Sequence, residues 1–223
     1  MLSAACCFPP PCSDTRTSAA APLAAGSRLR LHRPGEPGRK AVEAFIAAIY
    51  AQRFGATLRQ FAPLLLSLCD ESGEHIVAAA GYRPASETLF LERYLAAPIE
   101  QLLARQAGAA TPARGRIVEV GHLAAARSGE GRRLIMLMGP HLAEQGFEWV
   151  VSTLTTELRH LFLRIGVTPL ALGLADPAVL EPDEARLWGS YYEHRPVVLA
   201  GHLPQALQQL ARRRADRAAR EAS

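Results

Sequence analysis

Cysteine is scarce in this chain: there are four in 223 residues, at positions 6, 7, 12 and 69. That spacing suits neither a zinc site nor a disulfide framework, which points to reduced thiols and a cytoplasmic setting. Long apolar runs are lacking as well. No stretch approaches the ~18 uninterrupted apolar residues of a membrane-spanning helix. The first residues carry no basic segment, and Pro9, Pro10 and Pro11 break their apolar stretch, so they do not read as a secretory signal. The alternating ~10-residue segments of a transmembrane barrel do not occur, nor does any internal repeat. Nucleic-acid motifs are missing too. The net charge of +4 belongs to the ends: residues 1–40 hold six basic side chains against two acidic ones, and 204–223 hold five against two. The middle is therefore net acidic, and no nucleic-acid partner is expected.

What is present is an ordinary globular composition, 49% apolar and 21% charged. The length suits one domain with tails. Residues 1–27, rich in Ala, Pro and Ser, read as a disordered tail. Residues 28–203 read as the domain. Residues 204–223 read as a basic helix or tail, able at most to touch an acidic membrane surface from outside. Within the domain, RLRLH (28–32) alternates like a strand, and 39–54 places apolar residues at helical spacing up to Gly55. Two apolar runs flank Asp70-Glu71-Ser72-Gly73 as a hairpin. LFLERYL (89–95) is short enough for strand or helix. A helix opens at Pro98 and runs to 105. Strands are expected at 116–122, 147–154, 168–175 and 197–202, with helices at 129–145, 155–165 and 205–222. The order predicts an α/β (α+β) fold, a mixed central sheet flanked by helices. Two consecutive strand–helix units, 115–146 and 147–166, put their helix N-termini at one sheet edge.

The stretch from Gly115 to Gly146 concentrates the chemistry. A carboxylate, Glu119, interrupts an apolar strand, where an unpaired charge is costly. It is either solvated, paired with Arg83 or Arg116, or poised to orient and deprotonate an amine. Simple alternation sends Glu119 and His122 to opposite faces unless a bulge intervenes, and Gly121 is a residue at which one forms. Next comes a turn with Arg127, Gly129, Gly131, Arg132 and Arg133, an arrangement that can hold phosphate on backbone N–H groups and guanidinium forks. Thr153, Thr155 and Thr156 lie where a strand ends and a helix begins, as N-caps. Tyr191 and Tyr192 beside Trp188 read as packing aromatics.

Several segments in order carry a family resemblance: GYRPA (81–85), LFLERYL (89–95), IVEVGHLA (117–124), STLTTELRHLFLRIG (152–166) and WGSYYE (188–193). In these the chain resembles the thermostable hemolysin family over roughly residues 30 to 203. Its layout also looks like the acyl-CoA N-acyltransferase fold of acetyltransferases and acyl-homoserine-lactone synthases. The resemblance implies acyl transfer from a thioester to a small-molecule amine, with no tightly bound cofactor and no metal. Acyl-CoA or an acyl-carrier protein would be co-substrate. Glu119, His122, Tyr191 and Tyr192 would be catalytic, while Arg83, Thr153, Thr155, Arg127, Gly129, Gly131 and Arg132 would bind substrate. In acetyltransferases an R/Q-x-x-G-x-G/A loop holds the pyrophosphate; here the glycines of Arg127-Ser128-Gly129-Glu130-Gly131-Arg132 fall one position early. Arg83 and Glu92, both in family-like segments, are expected to form an ion pair. The alternatives are a membrane-active hemolysin, as the family name suggests, and a non-catalytic ligand-binding module on the same fold.

Overall fold

The computed structural model describes residues 28–107 and 110–221. The expected tail at 1–27, with Cys6, Cys7 and Cys12, lies outside the described residues. Seven strands form one sheet in the order β1-β2-β3-β4-β5-β7-β6. They are β1 (Arg28–His32), β2 (Leu64–Cys69), β3 (Ile76–Pro84), β4 (Ile117–Ala125), β5 (Trp149–Leu154), β6 (Leu170–Leu174) and β7 (Val197–His202). Only β4 and β5 pair in parallel; every other neighbour is antiparallel. The sheet is therefore mixed, and the parallel pair is joined by the crossover helix α3 (Glu130–Glu144).

The helices divide between the two faces. On one, α1 (Arg39–Phe54) sets Val42, Phe45, Ile46 and Tyr50 against Leu65, Ala79 and Ala124. Beside it, Ile99 and Leu103 of α2 (Ile99–Ala107) cover Ile117, Val151 and Val198. On the other, Leu134, Met138 and Leu142 of α3 cover Leu66, Tyr82, Val118 and Val120. The helix α4 (Thr156–Ile165) follows β5, and the short α5 (Pro182–Leu187) leads into the Trp188–Tyr192 corner. The last helix, α6 (Leu203–Glu221), begins directly at the end of β7. Its apolar residues Leu203, Leu207 and Leu210, spaced for one helical face, lie over the α3 side of the sheet. Arg39, a buried cation, is satisfied by the carbonyls of Ala62 and Pro63 at 2.8 Å each and by Glu43 at 2.8 Å.

The 89–95 segment is neither a strand nor an α-helix. It folds as a 3-10 turn, Phe90–Tyr94, whose Leu91 is fully buried and whose Glu92 accepts from the N–H of Leu89. Cys69 is buried. Among the described residues no helix is long and apolar enough to cross a membrane.

Candidate functional site

A bulge in β4 builds the centre of the site. Gly81 of β3 pairs with Gly121, yet Ala79 pairs with Ala124, so β4 holds one residue more than β3 across this step. The surplus falls at His122, whose φ of 52° lies in the left-handed region. The bulge turns His122 to the face that carries Glu119. Arg83 stands directly across from Glu119, so Arg83, Gly81 and Glu119 share that face. A Cβ placed on Gly81 would lie 3.1 Å from the His122 Nδ1 and 2.8 Å from the Ala62 methyl, which is why glycine is needed there. The His122 ring packs 5.5 Å from Phe61 and 6.4 Å from Tyr50. Its Nδ1 is buried without a hydrogen bond. Burial, helped by the nearby Arg83 charge, pushes its pKa down to about 4, so the imidazole is neutral at physiological pH.

Glu119 is neither solvated nor ion-paired. Its two oxygens accept from the N–H groups of Phe90 (2.8 Å) and Leu91 (3.0 Å), at the start of the 3-10 turn. Burial raises its pKa, opposed by those two hydrogen bonds and the charge of Arg83. Arg116 pairs instead with Glu148 at 2.5 Å. The expected Arg83–Glu92 pair does not form either. Glu92 is taken by Arg114 (2.8 and 3.0 Å), which also holds Glu100 (2.6 Å) and the Ala85 carbonyl (2.6 Å). Arg83 donates to the Thr88 carbonyl at 3.0 Å, lies 3.9 Å from Glu87, and keeps its buried Nε without a hydrogen bond. Arg114 thus clasps the segment that covers Glu119, a role the local sequence pattern does not signal.

Beyond Glu119 the parallel strands part. β4 and β5 pair only at Ile117–Trp149, Val118–Val150 and Glu119–Val151, though both strands continue. The fork opens into a groove lined by Tyr50, Arg53, Leu123, Gly131, Thr155 and Tyr191, among others. Behind it, on the α3 side, lies a chamber whose walls are almost wholly apolar, with Val150, Ser152, Met136, Phe162, Leu199 and Leu207 among them. Groove and chamber share Leu123 and Ile135.

Thr155 is 1% exposed. It holds the N-cap position of α4 but forms no side-chain cap, contrary to the expected capping role. The Thr156 hydroxyl instead donates to the His194 carbonyl at 3.1 Å. Tyr191 donates its hydroxyl to the Thr153 carbonyl at 3.2 Å, and Tyr192 shares a 2.6 Å hydrogen bond with the hydroxyl of Tyr94. Burial raises the pKa of both Tyr191 and Tyr192, keeping the phenols protonated. Tyr50 joins the two sides of the fork, with ring centroids 6.4 Å from His122 and 6.3 Å from Tyr191. Residue pattern alone missed Tyr50, Phe61, Tyr94 and Arg114. Their long-range partners are what reveal them.

The Gly/Arg turn caps α3. Gly129 sits at the N-cap with φ 94°, and its carbonyl accepts from Arg133 at 3.0 Å. Gly131 reaches the groove, whereas Arg127 and Arg132 are exposed. The structure therefore brings together Glu119, His122 and Arg83 on the α1 face and gathers Thr155, Tyr191 and Gly131 around the groove. Tyr192 stands beside them in the aromatic wall, its ring 5.4 Å from that of Tyr191.

Residues 32–207 match the family described as thermostable hemolysin. No curated protein matches the chain by sequence. Among solved structures, TofI in an apo form aligns with a TM-score of 0.56 at 18% identity, over 82% of this chain and 96% of that one. BjaI, a CoA-dependent acyl-homoserine lactone synthase with SAM and isopentyl-CoA, aligns at 0.56 and 15%, over 84% and 89%. FeeM, an N-acyl amino acid synthase from uncultured soil microbes, aligns at 0.53 and 14%, over 82% and 95%. These likenesses are of fold: the sheet and its helices are those of the acyl-CoA N-acyltransferase-like proteins.

Proposed function

This chain belongs to the thermostable hemolysin family, and on that premise we propose that it is an acyltransferase, moving an acyl group from a thioester to a small-molecule amine. One observation carries the reading: a groove and an apolar chamber, sharing Leu123 and Ile135, flank the β4–β5 fork, with Glu119 at the point where the strands part. An acyl chain suits the chamber, whose walls are almost wholly apolar. The pantetheine arm follows the groove past Thr155 and Tyr191. The amine enters from the α1 face, beside Glu119, Arg83 and His122.

In this reaction the amine nitrogen bonds to the thioester carbonyl carbon, and the carbon–sulfur bond breaks. Glu119, its basicity raised by burial, takes the proton lost by the nitrogen. The departing sulfur takes a proton from Tyr191, whose hydroxyl lies at the end of β5. His122 stays neutral and turns Nδ1 toward the acceptor side, and Arg83 faces any carbonyl or carboxylate the acceptor bears. Tyr192, bonded to Tyr94, holds the aromatic wall, and Thr153 anchors Tyr191 through its carbonyl.

The test is to incubate the full chain with octanoyl and longer thioesters and a panel of amines, reading free thiol and amide product. Amide formation abolished by Glu119→Gln supports the reading. Leakage of liposomes by the purified chain without any thioester would replace it with direct membrane action. Thioester binding without turnover for any amine would replace it with a non-catalytic module.

A further inference from the structure

The last helix, α6, bridges the two helices that flank the chamber. At its start, Leu203 and Leu207 press on Gly139 of α3. A Cβ on that glycine would lie 3.3 Å from the Leu207 Cδ2 and 3.9 Å from the Leu203 Cδ1. Farther along, the Arg213 guanidinium lies over Gly166, the left-handed residue that ends α4. A cation suits that place, because the last carbonyls of a helix carry its negative pole. Inward, Phe162 and Ile165 of α4 and Leu203, Leu207 and Leu210 of α6 form the chamber wall on this side.

The outward side of the same wall is basic and partly apolar. On a helix, residues three and four apart share a face, so His160, Leu163 and Arg164 of α4 stand together, opposite Phe162 and Ile165. All three are exposed, Leu163 to 52%. The Leu163 carbonyl accepts from the Gly166 N–H at 3.0 Å, so the leucine stands one turn from the place where Arg213 meets α4. Arg213 and Arg220, seven positions apart, share one side of α6. Arg164, Arg212, Arg213 and Arg220 are exposed and enter no ion pair among the described residues. Over its length α6 holds five arginines against Asp216 and Glu221.

We propose that this surface, the end of α4 together with α6, docks on an anionic phospholipid bilayer. Leu163 enters the interface, and Arg164, Arg212 and Arg220 meet the lipid phosphates. Charge complementarity selects anionic lipid. The leucine set among the cations selects a bilayer over a nucleic acid, whose phosphate backbone offers no apolar layer beneath it. Docking lays the α4–α6 wall of the chamber along the membrane, beside the layer in which long acyl chains dissolve. The docking stands on this surface alone and does not depend on the acyltransferase reading.

The experiment sediments the full chain with vesicles of phosphatidylcholine alone, and of phosphatidylcholine mixed with phosphatidylglycerol, in the absence of any thioester. Binding to the mixed vesicles is expected to be about tenfold tighter or more, and to weaken as salt rises. Arg164→Gln with Arg212→Gln and Arg220→Gln should remove that preference. All three side chains are exposed, so the melting temperature should hold. Leu163→Ser should weaken binding severalfold and leave its salt dependence as it was. Equal binding to both vesicle types, binding to neither, or undiminished binding of the Leu163→Ser chain overturns the proposal. So does release of the chain by inorganic phosphate at constant ionic strength, which would mark a phosphate site and not a bilayer surface. Tighter binding of a duplex oligonucleotide than of the mixed vesicles overturns it in favour of a nucleic-acid partner. Leakage of the vesicle contents would leave the docking in place and replace acyl transfer with direct membrane action.

Discussion

Glu119 and His122 lie three positions apart in β4 and share one face of the sheet, because the extra residue beside Gly121 turns His122 over. An ideal strand would separate them. The same bulge lies just past the last β4–β5 pair, where the strands have begun to part. One local irregularity therefore gathers two ionisable groups and stands beside the mouth of the groove.

His122 sets an acid limit on stability. Its folded pKa of about 4 lies below the ordinary value of 6.5. The unfolded chain therefore binds the extra proton first as pH falls. The contribution is complete above pH 6.5 and is lost as pH falls toward 4, up to about 3 kcal/mol. His122→Asn should flatten the thermal-stability profile across that window. Asparagine tolerates the left-handed backbone there, whereas His122→Val should unfold at a lower temperature at every pH.

Glu119→Gln should cost both activity and some stability. A glutamine can accept from only one of Phe90 and Leu91 through its oxygen, leaving a buried N–H facing an NH₂ group. The expected stability loss is about 1–3 kcal/mol. The proposed loss of the base lowers amide formation by about 10²–10⁴. Glu119→Asp keeps the charge and should retain more activity than Glu119→Gln, read as initial rates on protein that is still folded.

Ser152 is 6% exposed and lines the chamber. Ser152→Phe should shorten the longest acyl chain accepted. Rates measured across a series of thioesters would show the preference shift, with octanoyl transfer falling less than transfer of longer chains. An unchanged preference would place the acyl chain elsewhere.

Gly189 supports the aromatic wall. Its φ is 53°, and a Cβ there would fall on the Phe54 carbonyl oxygen. That carbonyl receives the Ser190 N–H at 2.8 Å, tying the Trp188–Tyr192 corner to the end of α1. Gly189→Ala should cost more than about 2 kcal/mol. The melting temperature should drop by at least about 4 °C.

Local chemistry made most of the architecture legible. The apolar spacing of 39–54, closed by Gly55, marks α1 to the residue. The Asp70–Gly73 turn marks the β2–β3 hairpin, and Gly121 marks the bulge. Partner choice was not legible. Glu92 could have met Arg83 or Arg114, and only the folded path of residues 85–100 brings Arg114 to it. The 3-10 form of 90–94 follows from Leu91 entering the core and Glu119 accepting two backbone N–H groups, both long-range facts. The chamber has no sequence signature, because the apolar residues that line a cavity have the same pattern as those that fill a core.

Tyr50 belongs to neither side of the fork and touches both, through His122 and Tyr191. A molecule that shifts His122 and a molecule that shifts Tyr191 press on the same ring. Any coupling that passes through this ring is reciprocal: each molecule would change the other's affinity by the same factor. A single ring from a helix on the sheet's surface thus stands against both sides of the fork.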